Sequence, residues 1–310
     1  MSRAHGQPPV PEPLTVPVVD SHCHLDIAWD DALGASLDEA GVEPAPRGWA
    51  AVEHDLDRAA EAGVPRIVQI GPDLASARWT VAAVDRYPGV LGGVALHPNE
   101  VPRLAAEHQL DEAMAEIAAL ALHPRVRAIG ETGLDHFRTP VAQWGLQEEL
   151  LRRHAALARE LGKALVIHDR QAHADVLRVM DAEPAPPVVV VHCFSGDAEF
   201  ARACVDRGWV LSFAGTVTFA SAGDVREGLA VTPLEQVLVE TDAPFLAPVP
   251  YRGRPNASCL VPWTVRAMAT VRDEDLDELC AAIATTSERV FGPWSSPVPA
   301  DAGHGQVQAE

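Results

Sequence analysis

Basic side chains are scarce in this 310-residue chain. Lysine occurs once, at Lys163, and the 24 Lys and Arg face 44 Asp and Glu, for a formal net charge of -20. A protein so charged repels a phosphate backbone at long range, which argues against a broad basic footprint on duplex DNA. An anionic substrate remains open if bound cations supply the attraction locally. Cysteine is sparse too. Cys23, Cys193, Cys204, Cys259 and Cys280 are odd in number and form no C-x-x-C pair. That argues against a disulfide framework and for a reducing, cytoplasmic setting, with most of the five acting as small buried hydrophobes. No apolar run approaches the roughly 20 residues that span a membrane. Met1 to Pro13 is proline-rich and lacks the apolar segment of a secretory signal.

What is present reads as one folded unit. Hydrophobic residues make up 47% and charged residues 22%, ordinary proportions for a globular protein. The length suits one large barrel or two ordinary domains. Apolar runs that predict strands occur at Val16–Val19, Arg66–Ile70, Val90–Leu96, Val126–Ile129, Ala164–Ile167, Val188–Val191, Trp209–Phe213 and Val237–Val239. Between them lie segments rich in Ala, Leu, Glu and Arg with helical spacing: Glu53–Ala62, Leu74–Tyr87, Leu110–Leu122, Gln143–Leu161, Ala174–Met180 and Ala198–Arg207, with a last helix at Asp273–Val290. Strands alternating with helices imply a parallel sheet, and near-continuous apolar strands imply burial on both faces. Eight such units predict an α/β fold, a closed (β/α)8 TIM barrel. No linker interrupts it, so residues 16–292 are expected to form one domain. Residues 1–15 and 293–310 are expected to be disordered extensions.

In such a barrel the functional residues sit at the carboxyl ends of the strands. His22 and His24 follow the first strand two residues apart, so their side chains share a face while Cys23 points away. His97 follows the third strand, Glu131 the fourth, His168 and Arg170 the fifth, His192 the sixth, and Glu240 and Asp242 the eighth. Each has an ordinary explanation alone: a turn histidine, a core histidine, a helix-capping acid. Together they end six apolar strands in metal-ligand residues. His5, His54, His108, His123, His154, His173 and His304 fall on helices, loops or tails and are expected at the surface, and Asp55, Asp57, Glu148 and Glu149 on solvated helix faces.

Four histidines and two carboxylates exceed the needs of one tetrahedral ion. They suit two divalent ions, about 3.5–4 Å apart, that share a bridging carboxylate. Mixed N and O ligation fits Zn, Mn or Mg. Some barrel hydrolases bridge with a carboxylated lysine after strand four. Here that place belongs to Glu131, and Lys163 precedes strand five, so Glu131 is the expected bridge.

The ordered set Asp20-Ser-His-Cys-His-Leu25, Leu96-His-Pro98, Gly130-Glu-Thr-Gly-Leu-Asp135, Ile167-His-Asp-Arg170, His192-Cys-Phe-Ser-Gly196, Glu240-Thr-Asp-Ala-Pro244 and Tyr251-Arg-Gly-Arg-Pro-Asn256 resembles the TatD family of metal-dependent deoxyribonucleases, among the amidohydrolase-like barrels. The resemblance implies that His22, His24, Glu131 and Asp242 hold one ion and that Glu131, His168 and His192 hold the other. It makes Asp242 the group that orients or deprotonates water. It implies that His97 and Glu240 face substrate or a weaker metal, that Arg170 pairs with phosphate, and that Arg252 and Asn256 position the substrate backbone. Its expected activity is metal-dependent hydrolysis of phosphodiesters, 3′-5′ exonuclease-like, on DNA ends or short single-stranded DNA. No membrane or protein partner is implied. An amide or ester hydrolase, acting on a small molecule or an aminoacyl-tRNA, is the alternative. The chain departs from the family's pattern at Ala220, where a basic residue is common, and after Asn256, at Ala257 to Leu260. It departs again at Thr286, in place of a common Asn.

Overall fold

The computed structural model of the chain describes residues 7–28 and 47–295. Eight strands form one parallel sheet in sequential order: β1 Val19–Cys23, β2 Arg66–Gly71, β3 Val90–Val94, β4 Val126–Asp135, β5 Ala164–Arg170, β6 Val188–Val191, β7 Val210–Phe213 and β8 Val237–Val239. Helices Trp49–Glu61, Leu74–Arg86, Leu110–Leu120, Trp144–Leu161, His173–Asp181, Ala198–Asp206 and Gly223–Val231 separate consecutive strands, and Val261–Arg272 and Leu276–Phe291 follow the last. This is the expected TIM barrel. No helix among the described residues is long and apolar enough to cross a membrane.

Two-sided burial explains the apolar runs. One buried cluster draws on every strand: Val19, Val68, Ile70, Leu91, Ala128, Val166, Val190, Val210 and Leu238. A set drawn from all eight strands fills the interior, as barrel side chains do. Phe291 and Trp294 pack against the same set. Residues of the opposite parity, such as Ile67, Ile129, Leu165, Leu211 and Val239, pack with the helices instead.

The ring closes without a regular β8–β1 ladder. The chain beyond β8 does the pairing: Asp242 N donates to His22 O at 2.9 Å, and His24 N donates to Ala243 O at 2.7 Å. Asp20, fully buried beside them, accepts from Thr241 N at 2.9 Å and Thr241 Oγ1 at 2.6 Å. The closure therefore fixes the residues on either side of it.

Several expectations change. β1, β4 and β5 run further than their apolar stretches, so His22, Glu131 and His168 lie within strands and not beyond them. Backbone pairing continues whatever the side chain. Residues 7–15, expected in a disordered extension, are docked: Arg58 donates to Gln7 and Pro8, Leu14 N to Ala62 O at 3.1 Å, and Arg266 to Glu12 O at 2.7 Å. A proline-rich segment keeps its carbonyls free, and arginines satisfy them. Trp294, placed in the expected tail, donates from its indole to Gly89 O at 3.1 Å. Residues 1–6 and 296–310 lie outside the described residues. Asp55 is buried, not solvated, because it accepts from Gln7 and Arg47.

Candidate metal centre

The first group of ligand atoms gathers at the barrel closure. His22 Nε2 lies 3.6 Å from Glu131 Oε1 and 3.8 Å from Asp242 Oδ1. His24 Nε2 lies 3.5 and 3.4 Å from the same two atoms. Bonds of about 2.0–2.1 Å to a tetrahedral ion put neighbouring ligand atoms roughly 3.3 Å apart, so these four atoms have the spacing of a coordination shell. Asp242 reaches it through a left-handed backbone, φ 56°, just where the chain turns to pair with β1.

The second group shares Glu131. Its other oxygen, Oε2, lies 3.3 Å from His168 Nδ1 and 2.9 Å from His192 Nε2, and those two nitrogens are 3.4 Å apart. Glu131 can divide its oxygens because the β4–β5 register slips between Ile129 and Thr132. Such an irregularity takes a residue out of the ladder and re-aims its side chain. The fit around the slip is close. A Cβ on Gly130 would sit 2.4 Å from Val166 Cβ, and one on Gly133, where φ is +144°, would sit 2.0 Å from His168 O.

Groups behind the imidazoles set which nitrogen faces the centre. His24 Nδ1 donates to Ile70 O at 3.0 Å, leaving the Nε2 lone pair inward. His168 Nε2 faces Asp135 Oδ2 at 3.4 Å, leaving Nδ1 inward. His192 Nδ1 faces Glu240 Oε1 at 3.3 Å, leaving Nε2 inward. A carboxylate or carbonyl behind each ligating imidazole is the usual support of a metal site. His22 is buried with neither ring nitrogen hydrogen-bonded. An unpaired buried polar atom costs about 1–3 kcal/mol, which a cation beside Nε2 would relieve. The donor set therefore fits divalent metal.

The electrostatics agree. Burial alone would raise the Glu131 carboxyl, but the charge on His192 and the hydrogen bonds from His168 and His192 outweigh it and hold it well below the usual carboxylate range. Asp242 is likewise held low against burial by His24, His22 and His192. Burial opposes charge on His24, yet Asp242 and Glu131 raise its pKa to about 9. The field at the centre favours positive charge.

His97 is drawn in differently. Its Nε2 lies 3.8 Å from Glu131 Oε2, and its Nδ1 accepts from Asn99 N at 3.1 Å. Burial, helped by His168, pushes its pKa down to about 3, so the ring is neutral. With Nδ1 accepting, the proton sits on Nε2, making His97 a hydrogen-bond donor toward the centre, while its position beside Glu131 and His168 is also that of a group able to hold an ion once that proton is lost.

Three sequence expectations fail. Glu240 does not face substrate. It is fully buried, accepts from Cys193 N at 2.8 Å, and stands behind His192. Asn256 does not present its amide to a ligand. Its Nδ2 donates to Thr241 O at 2.9 Å and Phe245 O at 2.7 Å, and its Oδ1 accepts from Ala257 N, so it pins the loop after β8. Arg170 and Arg252 do lie at the carboxyl side of the strands, each over a phenylalanine ring. His154 is not at the surface but fully buried behind the centre, bonded to Thr132 Oγ1 at 2.8 Å and Leu96 N at 3.4 Å. Asp135 is a functional residue that sequence reading passed over. It caps its own turn by accepting from Phe137 N and Arg138 N and also backs His168. The only sequence signal was its place at the end of the Gly130–Asp135 motif.

The family model for TatD-related DNases matches residues 19–292. The chain is 42% identical over 279 residues to a metal-dependent hydrolase TatD of Mycobacterium tuberculosis, covering 89% of this chain and 98% of that one. It is 35% identical over 258 residues to a protein of Cronobacter sakazakii named a 3′-5′ ssDNA/RNA exonuclease TatD, covering 79% of this chain and 95% of that one. Among solved structures, a TatD homologue of Escherichia coli K12 superposes with a TM-score of 0.75 at 27% identity, over 89% of this chain and 98% of that chain.

Proposed function

The chain belongs to the TatD-related DNase family and is a metal-dependent hydrolase of the TatD type, and we propose that it removes nucleotides from the ends of single-stranded DNA by hydrolysing phosphodiester bonds. The observation that carries the reading is Glu131, with one oxygen among His22, His24 and Asp242 and the other between His168 and His192. These six residues are the ligands we assign to two divalent ions, Mg, Mn or Zn. Such a pair supplies Lewis acidity toward a phosphoryl oxygen and makes water a stronger acid.

The protein's own groups divide the remaining work. Asp242 is the most open of the carboxylates here, with its side chain 15% exposed against 6% for Glu131. It can therefore meet water, orient it and take its proton. His97 Nε2–H is placed to donate to a non-bridging phosphate oxygen. Asp135 and Glu240 hold His168 and His192 in position and touch no substrate. Water's oxygen bonds to phosphorus as its proton passes to Asp242, and the P–O3′ bond breaks; the departing O3′ takes a proton from solvent, leaving a 3′-hydroxyl on the shortened strand and a 5′-phosphate on the released nucleotide. The polarity and the single-stranded substrate follow the name of the Cronobacter sakazakii relative. The net charge of -20 and single lysine favour an end held at the barrel mouth over tracking along duplex. The five unpaired cysteines support a cytoplasmic setting.

The test is a substrate panel. Chelated protein is incubated with labelled single-stranded DNA, duplex DNA, closed circular DNA and a set of esters and amides, with and without Mg, Mn or Zn. Mononucleotide release from single strands, only with metal, is expected. Ester or amide hydrolysis without DNA cleavage would move the enzyme to that class. Full activity after verified metal removal would remove the two-ion centre from the reaction.

A further inference from the structure

Two arginines at the mouth differ from most of the others. Arg78 pairs with Glu116, Arg178 with Glu148 and Arg207 with Asp181. Arg170 ends β5, and Arg252 lies on the loop after β8. Among the described residues neither guanidinium hydrogen-bonds or meets a carboxylate, in a chain with nearly twice as many acids as bases. Each lies over a phenylalanine: Arg170 Cζ is 4.0 Å from the ring centroid of Phe137, and Arg252 Cζ is 4.1 Å from that of Phe219.

The rings are placed for contact and not for core packing. Phe137 is 57% exposed on the turn after β4, with its backbone N–H fixed by Asp135 Oδ1 at 3.0 Å. Phe219 is half-buried on the segment after β7, where Phe219 N donates to Thr216 O at 2.9 Å and Phe219 O accepts from Arg226 at 2.7 Å. Val141, on the loop after β4, and Val249, on the loop after β8 with Arg252, are two further exposed apolar side chains. In an eight-stranded ring ordered β1 to β8, the β4–β5 and β7–β8 sectors lie three strands apart on the rim of the mouth. The two pairs therefore stand at separate places around the centre.

A guanidinium without an acidic partner, stacked on a ring at the rim, offers what a nucleotide requires, since bases stack on aromatic rings and on guanidinium planes alike. A base stacks on the ring whatever its identity, and the planar fork matches phosphate oxygens. Bases inside a duplex are stacked on each other and cannot reach such a ring. We propose that Phe137–Arg170 and Phe219–Arg252 form two nucleotide subsites at separate places on the rim of the centre. Each stacks one base of a single strand and holds an adjoining phosphate. The proposal rests on the phosphodiesterase reading and adds to it a substrate that spans the mouth with its bases unpaired.

The test measures binding separately from cleavage. Metal-loaded enzyme is titrated into labelled single-stranded decamers with phosphorothioate linkages, one intact and the others carrying a single abasic residue at successive positions. Wild-type enzyme should lose affinity at two positions. Phe137→Ala and Phe219→Ala should each weaken binding of the intact strand by roughly 5- to 150-fold, the range of one base–aromatic stack. Each should also become indifferent to one of the two abasic positions, with an unchanged melting temperature. Unchanged affinity in both variants, or equal losses on intact and abasic strands, would overturn the subsites. Cleavage of unmodified DNA is read alongside. A strand bound with this dependence but never cut would refute the phosphodiesterase and leave the subsites standing. A strand cut without it would do the reverse.

Discussion

Replacing Asp135 with Asn changes one oxygen for an amide group of nearly the same shape. Asp135 is buried, and its Oδ1 accepts from Phe137 N at 3.0 Å and Arg138 N at 2.8 Å. The carbonyl oxygen of an Asn can keep both. The amide nitrogen would then replace Oδ2, which faces Asn99 Nδ2 at 3.1 Å and His168 Nε2 at 3.4 Å. Donors would confront donors. His168 can escape by moving its proton to Nδ1, the atom 3.3 Å from Glu131 Oε2, and the lone pair meant for an ion is then lost. Loss of such a supporting partner lowers metal affinity by about 10- to 100-fold, or about 1.4–2.7 kcal/mol. The loss should fall on the ion beside His168, because His22, His24 and Asp242 have no contact with Asp135. Calorimetric titration of Mn or Zn into chelated protein should show one weakened site and one unchanged. Two unchanged sites would show that Asp135 does not set the His168 tautomer. Two equally weakened sites with a lowered melting temperature would make Asp135 a structural residue only.

Asp242→Asn should abolish turnover with little change in melting temperature, since it removes a proton acceptor and not core packing; a near-normal rate would take Asp242 out of the mechanism. Glu131→Gln should weaken both ions together, and metal stoichiometry and affinity equal to wild type would contradict a shared ligand. His154 should make the fold acid-sensitive. Burial, aided by Arg153, pushes its pKa down to about 3, against about 6.5 in an unfolded chain. The unfolded state then binds more protons between these values, so this stability is whole above about pH 6.5 and falls toward pH 3, by up to about 1.4 kcal/mol per pH unit. Denaturant unfolding from pH 6 to 4 should show that slope reduced in His154→Gln; an unaltered slope would place the sensitivity elsewhere.

The barrel was legible because parallel strands buried on both faces are apolar without interruption, and eight such runs have few other solutions. The residues we assign as ligands stood out in the sequence because they break those runs at one end. What failed depended on contacts distant in sequence. Glu240 and Asn256 looked substrate-facing since the sequence gives their place after β8 but not their burial under His192 and the Thr241–Phe245 turn. His154 looked like a helix-surface histidine because its partners, Thr132 and Leu96, come from other elements. Asp135 stood in the sequence only as the last residue of a motif, and its contacts with the turn and with His168 come from the fold. Helix Val261–Arg272 went unread, opening with a proline and mixing polar with apolar residues. The docked residues 7–15 were misread because proline-rich composition says nothing of the arginines waiting at Arg58 and Arg266.

The tight seam between β4 and β5 bears on how this centre could be moved into another protein. Gly130 and Gly133 leave no room for a side chain because Val166 and the His168 backbone occupy it. Glu131 takes its direction from that seam, and His168 stands on the strand that forms the other wall. Copying the ligating side chains onto a foreign barrel would therefore transplant the atoms without their aim. The smallest portable unit is the three-strand block from Val126 to His192, glycines and register slip included, joined to the β1–β8 closure that presents His22, His24 and Asp242.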